Sequence, residues 1–384
     1  MRACYLLFLL LYTTHLLSAQ TPRKLEFSDE RAYNSYALFT EQDAFVHPLR
    51  LDEDRNYTMG IGFFFGSNKL RQSWLMAPVK WISAQLFIHT LHQRIEAEDD
   101  KPFTYSLMLA NGSFTPDNLA APSVITNDRP YGNITYIQQN LTRVNASMTR
   151  KYAFSFIIGL LGSYVSREVK TEIHSWYNEN DTKYPRTPRG WNHQISNGGG
   201  LTVALTRSNE LLLTKKALKN ERLGKFNVEL KHGWKYSVGY YTAAQYGFGM
   251  RLGWLDPANW TFDLNPLSNS NKFVKENEIS KRYKGEFYLI AGARPVFMLY
   301  NALLNGQFRK SDHSISFQNT RHFLFEWDLG AGGRIPFSQN TVLDIRLKML
   351  SGRTPEFKLR GREPRTHYWG SIELILTHFN NKTK

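Results

Sequence analysis

The sequence predicts an all-β protein, an antiparallel barrel closed within a membrane. Three observations carry that reading. Apolar and polar residues alternate with a period of two along most of the chain, and polar turns break the alternation. The alternating segments run to about ten residues between charged loops, the length of a strand that crosses an outer membrane. Aromatic residues make up 14% of a chain whose mean hydropathy is only −0.44. A soluble enzyme with so many rings would bury them in a more apolar core, whereas a barrel sets them on its lipid face and keeps its lumen polar. A soluble β-sandwich would also alternate, but with shorter strands and without aromatic residues at so many strand ends.

The elements follow in chain order. Residues 1–20, MRACYLLFLLLYTTHLLSAQ, read as a secretory signal with Arg2 in the basic region, Cys4 to Tyr12 as the apolar run and Ser18-Ala19-Gln20 before the cut. A membrane anchor is the alternative, but the run is short and Thr13, Thr14 and His15 interrupt it. Residues 21–384 then form a single barrel domain, with no repeat or linker to divide it. Cys4 is the only cysteine, so the mature chain would have no disulfide, no zinc–cysteine site and no cysteine nucleophile. Beyond the signal no apolar run reaches the roughly 18 residues of a spanning helix, and only a closed barrel pairs every strand's backbone in lipid. The formal charge of +15 suits anionic partners such as lipid phosphates, and nucleic acid is excluded by export.

Clear strand segments are Ser35 to Thr40, Tyr57 to Phe65, Ile82 to Leu91, Asn133 to Gln139, Tyr152 to Gly159 and Leu201 to Leu205. Phe226 to Lys231, Lys235 to Thr242, Phe248 to Trp254, Gly285 to Ala291, His322 to Gly330, Val342 to Leu350 and Gly370 to Phe379 complete them. The last alternates Ile372, Leu374 and Leu376 with polar neighbours and ends on an aromatic, as such barrels do. The sequons at Asn56, Asn133 and Asn140 read as chance in an Asn- and Thr-rich chain without mature cysteines. Val165 to Asn178 breaks the pattern, because Val165, Val169, Ile173 and Trp176 form a helical stripe that Ser163 or Ser166 could cap. A helix in a barrel loop would lie near the rim, where it could carry a side chain over the wall.

Polar groups gather at three strand ends: Glu41-Gln42-Asp43, Asp54-Arg55-Asn56-Tyr57-Thr58-Met59-Gly60, and Asp128-Arg129-Pro130-Tyr131. Each alone has a structural explanation in turn preference, strand entrance or relief of crowding. In their order, joined by Phe114-Thr115-Pro116, the helix ending in His174, Gly190-Trp191-x-x-Gln194, Ala244-Gln245-Tyr246-Gly247 and Met250-Arg251-Leu252-Gly253, they resemble the lipid A 3'-O-deacylases of Gram-negative outer membranes. The resemblance covers most of the mature chain and is densest from Glu41 to Gly253. It implies a barrel of about twelve strands that removes an acyl group from the lipid A of lipopolysaccharide and needs calcium (Ca2+). It places the family's histidine at His174, its threonine at Thr58 and its metal-binding aspartate at Asp43. Gln42 stands where the family has asparagine, a side chain longer by one methylene. The longer loop after His174 leaves the acidic metal ligand open between Glu179 and Asp181.

The chemistry is coherent on its own terms. Imidazole suits the base that deprotonates water near neutral pH. A calcium ion held by the Asp43 and Glu179 carboxylates suits a developing oxyanion. No G-x-S-x-G elbow is present, so a serine nucleophile lacks its usual setting. Lys170, Arg186 and Arg189 could meet lipid phosphates or be ordinary loop charges. Rival readings are a non-catalytic pore or adhesin and an outer-membrane phospholipase. Oligomeric state and the acyl chain removed stay open.

Overall fold

The computed structural model describes residues 33–43, 45–46, 56–85, 104–145, 149–175, 188–214, 226–255, 285–338, 340–359, 361 and 364–379; the side chains of 56, 173–175 and 379 are outside that description. The expected signal at 1–20, and with it Cys4, lies outside the described residues.

The chain forms one closed, antiparallel barrel of twelve strands. They are β1 (Tyr33–Gln42), β2 (Asn56–Ser67), β3 (Thr104–Thr115), β4 (Gly132–Val144), β5 (Arg150–Leu161) and β6 (Gly200–Leu212). Then come β7 (Phe226–Gly239), β8 (Tyr241–Trp254), β9 (Glu286–Asn301), β10 (Phe323–Pro336), β11 (Thr341–Arg353) and β12 (His367–Phe379). Every strand pairs with its sequence neighbours, and β1 closes on β12 with Tyr33 opposite Phe379. Both strand termini therefore lie at one end, called here the terminus end; Gln42 and Gly370 pair toward the other, the site end.

The barrel is inside-out relative to a soluble protein. Leu109, Ile137, Ile158, Leu160, Phe248, Phe287, Leu289, Leu374 and Leu376 point outward and are exposed. The charges point inward and are buried: Arg251 holds Glu229, Arg334 holds Asp344, Glu210 bridges Lys151 and Lys231, and Arg294 joins Glu326 to Asp328. Alternation thus sends each strand's polar set into the lumen and its apolar set toward lipid.

Among the described residues there are three α-helices. Helix α1 spans 77–85, α2 is Val165–Ser175, and α3 is the single turn Ala302–Asn305. Helix α1 corrects the strand expected over Ile82 to Leu91. Residues 82–85 are helical, and 86–91 lie outside the described residues. Met76, Val79 and Ile82 recur every third residue and pack on the barrel's outer face, a helical spacing that prevails over the period-two pattern beginning at Ile82. The two segments expected at Phe226 to Lys231 and Lys235 to Thr242 are largely one strand, β7, which turns at Tyr240. Strand β3 was not among the expected segments. Its inward Met108 and Ala110 are apolar, while its outward Asn111 and Ser113 are polar and buried, so its alternation is inverted toward the site end. Asn133 and Asn140 are buried within β4, which removes both as glycan acceptors.

Candidate active site

The site end is organised by one row of residues across four strands. Gln42 of β1 pairs with Met59 of β2, Met59 with Ser113 of β3, and Ser113 with Asn133 of β4. All four positions share the parity of the lipid-facing residues further down each strand. The row is therefore on the outer wall, not in the lumen.

A β-bulge in β2 places Thr58 in this row. Tyr57 pairs with Phe114 and Met59 with Ser113, so Thr58 is an extra residue in the ladder. Tyr57 turns into the lumen, where its hydroxyl donates to Glu41 and its ring packs 5.1 Å from Phe114 and 5.5 Å from Trp369. Two consecutive residues, Thr58 and Met59, consequently oppose Ser113; bulges re-aim side chains in this way. Gly60 makes room for the turn, because a Cβ there would sit 1.9 Å from the Tyr57 hydroxyl. Thr58 is completely buried, and its Oγ1 has no hydrogen-bond partner among the described residues.

Helix α2 lies across the same wall. The Ser166 hydroxyl donates to Asn111 Oδ1 at 2.9 Å and accepts from Ser113 Oγ at 2.6 Å and from Asn133 Nδ2. All its hydrogen-bonding capacity is used. Ser163 donates to Asn133 Oδ1 at 2.6 Å and lies 2.9 Å from Thr135 Oγ1. The two serines expected as caps thus tie the helix to β3 and β4. The expected apolar stripe also changes role. Val165 is exposed and Val169 half-buried, whereas Ser166 and Lys170 are buried. Over this part of the wall, where Asn111, Ser113 and Asn133 point outward, the helix turns its polar side inward. Lys170 is accordingly packed against the wall rather than displayed to phosphates. Position 174 follows Lys170 by four residues in the last turn of the helix.

Lengths agree with this placement. Strands β3 and β1 are two spacings apart, about 10 Å. Position 174 lies eight residues beyond Ser166, about 12 Å along the helix. A helix anchored on β3 and β4 is long enough to reach the edge formed by Gln42, Asp43 and Thr58. Gln42 and Thr58 are brought together by the ladder, and the buried Asp43 follows Gln42 directly. Glu179, Asp181 and Arg186 lie outside the described residues. Among the described residues no three His, Cys, Asp or Glu side chains cluster to hold a metal. Asp43 and Thr58 do supply hard oxygen donors of the kind calcium takes, one of them a buried hydroxyl without a bond.

The remaining motifs hold the loops. Asp128 accepts from the backbone N–H of Asp117 at 2.9 Å and of Arg129 at 2.7 Å. Buried Arg129 donates to Glu356 at 3.3 Å and lies over the Phe114 ring. Burial by itself would raise the Glu356 carboxyl, but Arg353, 2.6 Å away, and then Arg129 hold it below the usual carboxylate range. Tyr131 stacks on Trp191 with ring centres 4.8 Å apart, and a Cβ on Gly190 would meet that Tyr131 ring at 2.3 Å. Gln194 donates to the Ser163 carbonyl at 3.4 Å, linking the second half of the loop to the start of α2. Asp-Arg-Pro-Tyr and Gly-Trp-x-x-Gln are thus scaffolding for the helix.

The polar lumen, the lipid-facing apolar band and the helix over the outer wall define the chain as an integral outer-membrane β-barrel. The model of the family "Outer membrane protein LpxR" matches residues 5–378, and the chain belongs to that family, the lipid A deacylase family its motifs resemble. Among solved structures it is similar to LpxR from Salmonella typhimurium, with a TM-score of 0.61 and 15% identity over 90% of this chain and 100% of that one. The β domain of the Bordetella autotransporter BrkA matches with a TM-score of 0.40 and 10% identity, over 91% of this chain and 100% of that chain. No curated protein sequence matches the chain.

Proposed function

We propose that this protein hydrolyses an acyl ester of lipopolysaccharide lipid A, the 3'-linked acyloxyacyl group, with water activated by His174. The observation that carries the reading is the buried Thr58 hydroxyl, without a hydrogen-bond partner among the described residues and aimed by a bulge onto the outer wall in the row that α2 crosses. A site on the outer wall suits a substrate whose acyl chains stay in the membrane, since the ester need not enter the lumen.

In this reading His174 takes a proton from water at its imidazole as the water attacks the ester carbonyl. Thr58 and Gln42 orient the carbonyl and its oxygen, and the proton on imidazole passes to the departing sugar oxygen. The longer Gln42 amide reaches about one carbon–carbon bond further than an asparagine would. Calcium, held by Asp43 and Glu179, would supply positive charge to the developing oxyanion when bound.

Mass spectrometry of lipid A incubated with the purified protein tests the proposal. Loss of one acyloxyacyl unit is expected. His174→Ala should abolish the loss while leaving heat-modifiable barrel folding intact, and full activity in that variant would sink the assignment. Chelation should inhibit and calcium restore; indifference to chelator would remove the metal from the proposal.

A further inference from the structure

At the terminus end, residues 68–85 build a second element on the outside of the barrel. Two short 3-10 turns, Asn68–Gln72 and Trp74–Met76, lead into α1. Ser67 Oγ accepts from Lys69 N and Ser73 Oγ from Leu75 N, both at 3.2 Å, so the turns are capped. Leu70, Met76, Val79 and Ile82 pack on Tyr105, Leu107, Leu141, Phe154, Phe156 and Leu205. Those strand residues continue the outward rows of Leu109, Ile137, Ile158 and Val203, which are exposed in the lipid band. The docking is specific, because Gln139 on the same outer wall accepts from Val79 N at 3.1 Å and donates to the Leu75 carbonyl at 2.7 Å. Facing away from the wall are Trp74, 80% exposed, Trp81, 66% exposed, and Leu75. The stretch has three cations, Lys69, Arg71 and Lys80, and no acid.

Two large indoles would not be left in water beside a lipid-facing band, and continuity with that band identifies the medium that covers them. We infer that residues 68–85 are an interfacial anchor seated in the glycerophospholipid headgroup layer at the terminus end. Trp74, Leu75 and Trp81 enter the acyl boundary by about 5–10 Å. Trp prefers this depth because its ring is apolar and its N–H polar, and the basic residues meet lipid phosphates of opposite sign. The choice of phospholipid rests on the proposed function, which assigns the lipopolysaccharide leaflet to the site end. The anchor would fix the depth of the barrel, and hence the height at which the row at Gln42 and Thr58 meets its ester.

The test uses the full chain carrying Cys4→Ser and one new cysteine, Trp81→Cys or Leu75→Cys, labelled with an environment-sensitive fluorophore. The protein is reconstituted in phosphatidylethanolamine–phosphatidylglycerol vesicles carrying nitroxide near the top of the acyl chain. Blue-shifted emission and quenching several-fold stronger than for a label at Ser338, in an exposed turn at the same end, are expected at both positions. Water-like emission at both, no more quenched than at Ser338, would overturn the anchor and point to an aqueous or protein-covered face. Lipid A deacylation is read on the same samples carrying lipopolysaccharide; quenching without deacylation leaves the anchor standing and counts against the proposed function instead.

Discussion

Thr58 sits in a position that packing alone does not account for. Among the described residues its buried hydroxyl has no partner, which would cost about 1–3 kcal/mol, yet β2 uses an extra residue to aim it at the outer wall. Under the proposed function the partner of this hydroxyl is the substrate. Thr58→Val retains shape and removes the oxygen, so two opposite changes are expected. Deacylation should fall by about 10²- to 10³-fold, the usual loss for one oxyanion contact. Thermal stability of the folded barrel should hold or rise, because an unsatisfied polar atom is gone. A valine variant that loses stability and keeps its rate would assign the hydroxyl a structural role. Gln42 belongs to the same scale. It pairs with Met59, beside Thr58, so Gln42→Asn tests whether the row tolerates the shorter amide, with a higher rate expected if reach is limiting.

Helix α2 shows what the sequence could and could not disclose at the scale of an element. Its existence was legible from spacing, and so was its position near the rim. Its orientation was not, because an amphipathic helix in a soluble protein buries its apolar stripe, whereas here Val165 is exposed and Ser166 and Lys170 are buried against the wall. The reversal could have been read from β3 and β4, where Asn111, Ser113, Asn133 and Thr135 occupy outward positions that lipid would not accept. Strand β3 was missed for the same reason, since polar residues outside and apolar ones inside break the expected alternation. The order of the chemical motifs was legible. Their division into working residues and scaffold needed the three-dimensional contacts of Arg129, Tyr131 and Gln194. Ser166→Ala checks the docking. Asn111 would lose its donor and Ser113 and Asn133 their acceptor. That loss, about 1–3 kcal/mol, shifts helix docking by about one to two powers of ten. Amide hydrogen exchange should speed up within α2 alone and deacylation should fall, with strand protection unchanged. Uniform loss of protection across the strands would place the serine's role in barrel stability.

The whole molecule is a closed cylinder whose proposed chemistry lies on its outside, and this would separate it from a pore. Buried ion pairs line the lumen, from Glu210 with its two lysines to Arg294 with Glu326 and Asp328. At the site end Leu303 of α3 packs among Tyr57, Phe114, Tyr136 and Trp369. Above them Glu356 joins Arg353 at the end of β11 to Arg129 from the loop before β4. A reconstituted barrel should therefore carry no sustained ionic current at neutral pH, and porin-like conductance there would revive the channel reading. The closure should depend on pH with a definite sign. Although burial opposes it, Arg353 and Arg129 depress the folded-state pKa of Glu356 below its unfolded value. Its contribution is complete above the unfolded carboxylate pKa, about 4.3, and is lost as pH falls through the lower folded value. Current should appear on acidification below the unfolded carboxylate pKa and disappear on return to neutrality. Arg129→Ala, which leaves Glu356 with one fewer cation, should leak at a higher pH than the parent protein. A mouth that opens only on the alkaline side, or an Arg129→Ala barrel that stays shut further into acid than the parent, would show that this latch does not close the lumen.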